Sequence, residues 1–207
     1  MGYDDKLYHN VKWSLGVERE VIDGFLARSK LGYYRLKAIV ECLIESAELK
    51  ADTAEIGVAS GLTSRIISTL NSGSTHWACD TFQGLADVSE IDGPHLRNGM
   101  LKWRLDETMI ELNGIESIHV IKGYFPDSAT DKMKDSLYKL VHIDVDTYKS
   151  TLAAWEFFKD RMVTGGAIVF DDVLSPRCLG AMKAWAEIGA WSKHKVTTYP
   201  PQAVVYF

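Results

Sequence analysis

Ala54-Glu55-Ile56-Gly57-Val58-Ala59-Ser60-Gly61 is a short apolar run that breaks into a turn carrying two glycines. Residues 53–57 read as a strand, and residues 63–70 show helical periodicity, so the glycines stand at a strand-to-helix connection. In doubly wound sheets ligands bind beyond the carboxyl ends of the strands, at such connections. Gly57 and Gly61 permit positive φ and close backbone approach. Ser60, Thr63 and Ser64 are candidate caps for the following helix. Its N-terminus would favour a carboxylate or phosphate. Taken alone, the turn fits a plain connection without a ligand about as well.

Outward from this turn, strands and helices alternate. Residues 16–49 read as helical, with apolar positions at Val21, Ile22, Phe25, Leu36, Ile39, Val40 and Leu43. Further strands are expected at 76–79, 118–122, 140–144 and 167–170, and helices at 101–112, 150–161 and 179–188. Short apolar strands alternating with helices indicate a Rossmann-like α/β domain with a mostly parallel sheet covered on both faces. Residues 195–199 and 203–207, joined through Pro200-Pro201-Gln202, read as an antiparallel edge hairpin, because a proline pair suits a turn and not a central strand. Residues 1–207 are expected to form one domain, with 1–49 as a helical N-terminal cap.

Composition narrows the function. With 46% apolar residues the chain has material for a sizeable core, and a net charge of −5 carries no basic stripe for a nucleic-acid backbone. No apolar run is long enough to span a bilayer, and the first residues have no signal-peptide core. Cys42, Cys79 and Cys178 are widely spaced and odd in number, which favours reduced thiols and a cytoplasmic setting.

Asp80 ends the second strand, at the distance from the glycine turn where an acidic side chain reaches ribose hydroxyls. A pyrophosphate fingerprint would want glycine where Ala59 and Leu62 stand. Glu55 would repel a phosphate but suits the ammonium of a methionine moiety. The other reading of Asp80 is a helix or turn cap. The fourth strand runs into His142-Ile143-Asp144-Val145-Asp146 and the fifth into Phe170-Asp171-Asp172. Four carboxylates at two neighbouring strand ends raise one another's pKa and oppose folding unless a cation neutralises them. Hard oxygen donors suit Mg²⁺, Ca²⁺ or Mn²⁺. The alternative is that these aspartates cap helices or line a solvated rim.

The segments AEIGVASGLTS, CDTFQGL, KGYFPDS, HIDVDTYKST, GGAIVFDD and PRCLGAMKAW stand in the order found in metal-dependent O-methyltransferases of the macrocin type, which the chain resembles over about residues 53–190. The resemblance implies a class I methyltransferase fold, S-adenosylmethionine, a divalent cation such as Mg²⁺, and a sugar or polyhydroxylated small-molecule acceptor. It implies that Asp144, Asp171 and Asp172 bind metal and that Asp146 is the general base. It also implies that Glu55, Gly57, Ala59, Ser60 and Gly61 surround the methionine end. Asp80 would hold the ribose with Thr81 and Phe82 beside it, and Gly123 and Tyr124 would lie near the adenine. His142 reads as an inward-facing strand residue, Trp155, Phe157 and Phe158 as core, and Cys178 as a small buried residue. Lys149 and Arg177 are candidate acceptor contacts. Trp13, Tyr33 and Tyr34 could cover the cofactor or simply pack. The N-terminal helical face could pair two copies in a homodimer or cover the sheet. The alternative function is a non-catalytic adenosyl-ligand binding module, and a nicotinamide oxidoreductase is disfavoured by Ala59 and Leu62.

Overall fold

The computed structural model describes residues 18–28, 32–71, 73–190 and 193–207. Trp13 lies outside them, and so does the side chain of Tyr33. Two helices come first, α1 (Arg19–Arg28) and α2 (Tyr33–Glu45), followed by β1 (Asp52–Ile56), α3 (Leu62–Leu70) and β2 (His76–Asp80). A 3₁₀ turn (Glu90–Asp92) and α4 (Leu105–Glu111) lead to β3 (Ile118–Lys122) and the short α5 (Asp131–Asp135). Then come β4 (Tyr138–Ile143), α6 (Tyr148–Phe158), β5 (Met162–Phe170), α7 (Leu179–Ile188), β6 (Lys195–Tyr199) and β7 (Gln202–Tyr206).

Among the described residues the strands form one sheet in the order β3-β2-β1-β4-β5-β7-β6. β1 to β5 are parallel, and β7 runs antiparallel to both β5 and β6. The Rossmann-like sheet and its antiparallel edge hairpin are therefore present as the alternation of elements indicates. Chain order reverses between β1 and β4, which opens a crevice at their carboxyl ends.

Strand alternation divides the core in two. Ile56, Val141, Ile143, Ile168 and Phe170 face α5 to α7, where Met133, Trp155, Phe158 and Trp185 cover them. Leu140, Val169 and Val204 face the other way and meet Ile22, Leu36, Ile39, Leu43, Ile66 and Ile67 from α1 to α3. Each such large apolar side chain contributes about 1.5–3 kcal/mol by leaving water. The apolar face of α2 is thus spent on the sheet. Trp155 and Phe158 are buried core residues, and Phe157 packs beside them.

Two element boundaries differ from expectation. The helical region at 16–49 is two helices, and α2 starts just after Gly32, an exposed residue with φ 76. The helix expected at 101–112 begins only at Leu105. Leu101 has φ 57, outside helical space, and its neighbours Lys102 and Trp103 turn into a cavity instead. No described helix is long and apolar enough to cross a membrane. Cys42, Cys79 and Cys178 are all free and buried.

Candidate active site

β1 delivers its glycine turn into the crevice through parallel-ladder bonds. The N–H of Gly57 donates to Cys79 (2.9 Å), the N–H of Asp144 to Ile56 (2.8 Å), and the N–H of Asp171 to Ile143 (2.8 Å). The ends of β2, β1, β4 and β5 are therefore aligned. Gly57 has φ 92, and an added Cβ would overlap the backbone carbonyl of Asp144. Gly61 is the residue before α3, with φ 87, and it packs against Thr108 and Leu112 of the α4 region.

None of Ser60, Thr63 and Ser64 caps α3, since Gly61 precedes the helix with no side-chain capping bond. Ser64 instead donates to Glu55 (2.5 Å), and the His142 Nδ1–H donates to the other Glu55 oxygen (2.9 Å). Glu55 is buried on the α2–α3 side of the sheet, opposite to Ile56. Alternation sends its carboxylate away from the crevice, so the expected contact with a methionine ammonium is corrected: Glu55 anchors His142 and α3.

Asp80 organises the turn. Its Oδ2 accepts from the N–H groups of Val58 and Ala59 (2.9 Å each), and its Oδ1 accepts from Phe82 (2.7 Å). A carboxylate has lone pairs beyond these three, so Asp80 can still accept from a ligand hydroxyl. Thr108 Oγ1 fastens the turn by donating to the Ala59 carbonyl (2.6 Å). Ala59, Phe82, Asp146 and Asp172 all adopt positive φ (45°, 52°, 60° and 55°), a strained conformation that clusters at functional sites.

A cavity of about 400 Å³ opens above the strand ends. Gly57, Ala59, Asp80, Thr81, Gly123 and Tyr124 line it, together with Asp144 and Asp146. Glu55, Ser60, Gly61 and Phe82 do not. Phe82 and Gly61 serve the backbone around the cavity, by the Asp80 bond and by packing on α4. Lys149 and Arg177 are exposed and line no part of it. Leu85, Ala86, Leu101, Lys102 and Trp103 complete one wall from the segment between β2 and α4. Composition gave no signal for that wall, because its conformation rests on distant anchors. Asp92 holds the segment: its Oδ2 accepts from Ser89 (2.7 Å) and its Oδ1 from the N–H of Tyr148 at the start of α6 (2.7 Å).

The acidic cluster differs from the expected triad of Asp144, Asp171 and Asp172. Donor atoms of His142, Asp144 and Asp171 converge within 4.8 Å, and those of Asp146, Asp172 and Cys178 form a second such group. Arg35 on α2 bridges the two groups. Its guanidinium donates to Asp171 (3.1 Å) and grips Asp172 with both nitrogens (2.8 and 3.4 Å). This counter-ion escaped the sequence reading because 136 residues separate Arg35 from Asp171.

Burial and like charge govern the titration of these groups. Burial, then Asp171 and Asp146, pushes the Asp144 carboxyl well above the ordinary range. Burial also raises Asp146, to about 6, while the Cys178 thiol donating to its Oδ1 (3.2 Å) pulls the other way. Burial pushes Asp171 up too, but His142 and Arg35 outweigh it and hold this carboxyl below the usual value. For His142 burial opposes charge, yet Asp171 and Glu55 together raise the imidazole to about 10. A protonated imidazole beneath ionised Asp171 fits their 3.8 Å separation.

Residues 54–173 match a family model described as a methyltransferase domain. The chain is 26% identical over 176 residues to demethyldecarbamoylnovobiocin O-methyltransferase of Streptomyces niveus, covering 75% of this chain and 66% of that protein. It is 25% identical over 175 residues to 8-demethyl-8-(2,3-dimethoxy-alpha-L-rhamnosyl)-tetracenomycin-C 4'-O-methyltransferase of Streptomyces olivaceus, covering 76% and 67%. The chain thus spans about two thirds of the length of these relatives. In fold it matches the O-methyltransferase NovP with a TM-score of 0.74 at 20% identity, over 98% of both chains. It also matches an O-methyltransferase from Bacillus cereus in complex with SAH, with a TM-score of 0.57 at 15% identity, over 98% of this chain and 97% of that one.

Proposed function

We propose, from the premise that the chain belongs to the methyltransferase-domain family, that it transfers a methyl group from S-adenosylmethionine to a hydroxyl of a sugar or other polyhydroxylated small molecule. One observation carries the reading: a single cavity joins the glycine turn and Asp80 to the carboxylates of Asp144 and Asp146. A cofactor and an acceptor can therefore meet in one shared cavity. The S. olivaceus relative, whose name describes a rhamnosyl compound methylated on oxygen, supports a sugar acceptor.

A sulfonium methyl is already activated, so the protein has chiefly to position an acceptor oxygen for in-line attack. Gly57 and Ala59 would let the methionine end approach the backbone. Asp80 would take a ribose hydroxyl, and Gly123 and Tyr124 would border the adenine. Asp146 is our candidate general base. It faces the cavity, and a pKa of about 6 leaves it ionised at neutral pH yet more basic than an ordinary carboxylate. Cys178 orients it by donating to Oδ1.

The donor set suits a divalent cation of the macrocin-type enzymes. Asp144 and Asp171 offer hard oxygens. Buried His142 lies beside them with no hydrogen bond to its Nε2, an atom that could join the ligands only after giving up the proton that Asp171 and Glu55 favour. Asp144 and, once freed from Arg35, Asp171 and Asp172 would hold the ion. Such an ion, when bound, lowers the pKa of a coordinated hydroxyl.

The test is transfer of isotope-labelled methyl from S-adenosylmethionine to a panel of sugar and polyphenol acceptors, with Mg²⁺ and with a chelator. Labelled product is expected, and it should fall away on chelation. Asp146→Asn should lower turnover by about 10²–10⁴-fold. Near-normal turnover in that variant removes the base assignment, undiminished activity in chelator removes the metal, and unlabelled acceptors throughout would sink the transferase reading.

A further inference from the structure

We propose that Arg35 is the resident counter-ion of the acidic cluster, that a divalent cation competes with it for Asp171 and Asp172, and that cation loading therefore releases the Arg35 side chain from the site. The proposal rests on the metal reading above and concerns its regulation.

The geometry makes the competition explicit. Arg35 occupies both oxygens of Asp172 and one oxygen of Asp171. The remaining Asp171 oxygen accepts from the N–H of Asp172 (2.8 Å). Of the three expected ligands only Asp144, to whose carboxylate no described residue donates a hydrogen bond, is open. A cation drawing on Asp171 and Asp172 must take oxygens that the guanidinium now holds. Two positive charges on one carboxylate pair repel, and the planar fork leaves little room for a second ligand shell.

Release of Arg35 is sterically simple. Its side chain is 25% exposed, so it has a path to water. Leu36, Ile39 and Leu43 keep α2 on the sheet by apolar burial that does not depend on the ion pair. The change is thus confined to the side chain and the first turn, with exposed Gly32 just before it. Charge on the cluster is balanced either by the guanidinium or by the metal, so the fold tolerates both states. The first turn of α2 thereby senses metal occupancy.

Two measurements on the intact chain test this. Calorimetric titration with Mg²⁺ compares wild type with Arg35→Met and Arg35→Lys. Arg35→Met, which keeps an unbranched apolar stem and removes the charge, should bind Mg²⁺ at least about tenfold more tightly, with Arg35→Lys between. In wild type, the phenylglyoxal reactivity of Arg35, read by peptide mass spectrometry, should rise several-fold at saturating Mg²⁺ while that of exposed Arg104 stays constant. Equal or weaker Mg²⁺ affinity in a folded Arg35→Met protein, or unchanged Arg35 labelling at saturating Mg²⁺, overturns the competition and leaves the metal reading standing. Absence of Mg²⁺ binding by wild type and variant alike sinks both. If Arg35→Met does not fold, the wild-type labelling decides alone.

Discussion

Gly57 meets two demands at once: its φ of 92 lies where side chains are strained, and a Cβ there would overlap the carbonyl of Asp144. The neighbouring backbone cannot give way cheaply, because the Asp144 N–H is tied to Ile56. Gly57→Ala should therefore cost on the order of 2–4 kcal/mol, left-handed strain and overpacking together. Urea denaturation would show this as a lower midpoint with an unchanged slope, and an unmoved midpoint would mean that the strand ends are not packed as described. The glycine was legible because turn chemistry is local. So were Asp144 and Asp146, which stand at the end of an unmistakable apolar strand and do face the cavity. Glu55 was not, because its role depends on which face of β1 it takes and on His142, 87 residues away. Arg35 was not, because nothing near it in sequence marks it as a partner for Asp171 and Asp172.

At the scale of elements, β1 and β2 are joined by more than their ladder. Thr53 pairs with His76 in register, and their side chains share a buried hydrogen bond of 2.9 Å. Burial first, then the nearby charge of His142, pulls the His76 imidazole down to about 3. An unfolded histidine titrates near about 6.5. Above that pH both states are neutral at this position, and its contribution to stability is complete. Below it the unfolded chain takes up a proton that the folded chain refuses. Stability then falls by up to about 1.4 kcal/mol per pH unit, from pH 6.5 down toward 3. His76→Gln, which cannot titrate, should flatten the decline of the urea midpoint between pH 6.5 and 5 relative to wild type. Parallel curves for the two proteins would show that His76 is charged or exposed in the fold. The strands themselves were readable from short apolar runs with β-branched residues, since burial on both faces leaves that plain signature. The segment before α4 was misread as helix because Leu101 stands four residues before Leu105 and eight before Met109, which is helical spacing. Its actual course depends on the bonds from Asp92 to Ser89 and Tyr148, which tie it to the start of α6.

The whole molecule adds what no element holds alone. Three strand-to-helix connections, after β1, β2 and β3, meet the aspartates after β4 over one cavity. Parallel register brings them level, and the reversal of strand order between β1 and β4 leaves the space between them open. That architecture followed from the alternation of elements, but the cavity's far wall did not, because loop conformation is set by tertiary anchors and not by composition. A ligand that bridges these connections binds only when they are assembled, so it must stabilise the entire fold by mass action. S-adenosylmethionine or S-adenosylhomocysteine at about 100 times its Kd should add about 2.7 kcal/mol. For a chain of this length that is a rise in melting temperature of roughly 5–10 °C. NAD should leave the melt unchanged, because Ala59 stands where a pyrophosphate needs glycine. A scan of the protein with each ligand separates the outcomes. A shift with the adenosyl ligands alone matches the cavity to a sulfonium cofactor. A shift with NAD alone would assign the glycine turn to a dinucleotide and remove the basis for methyl transfer.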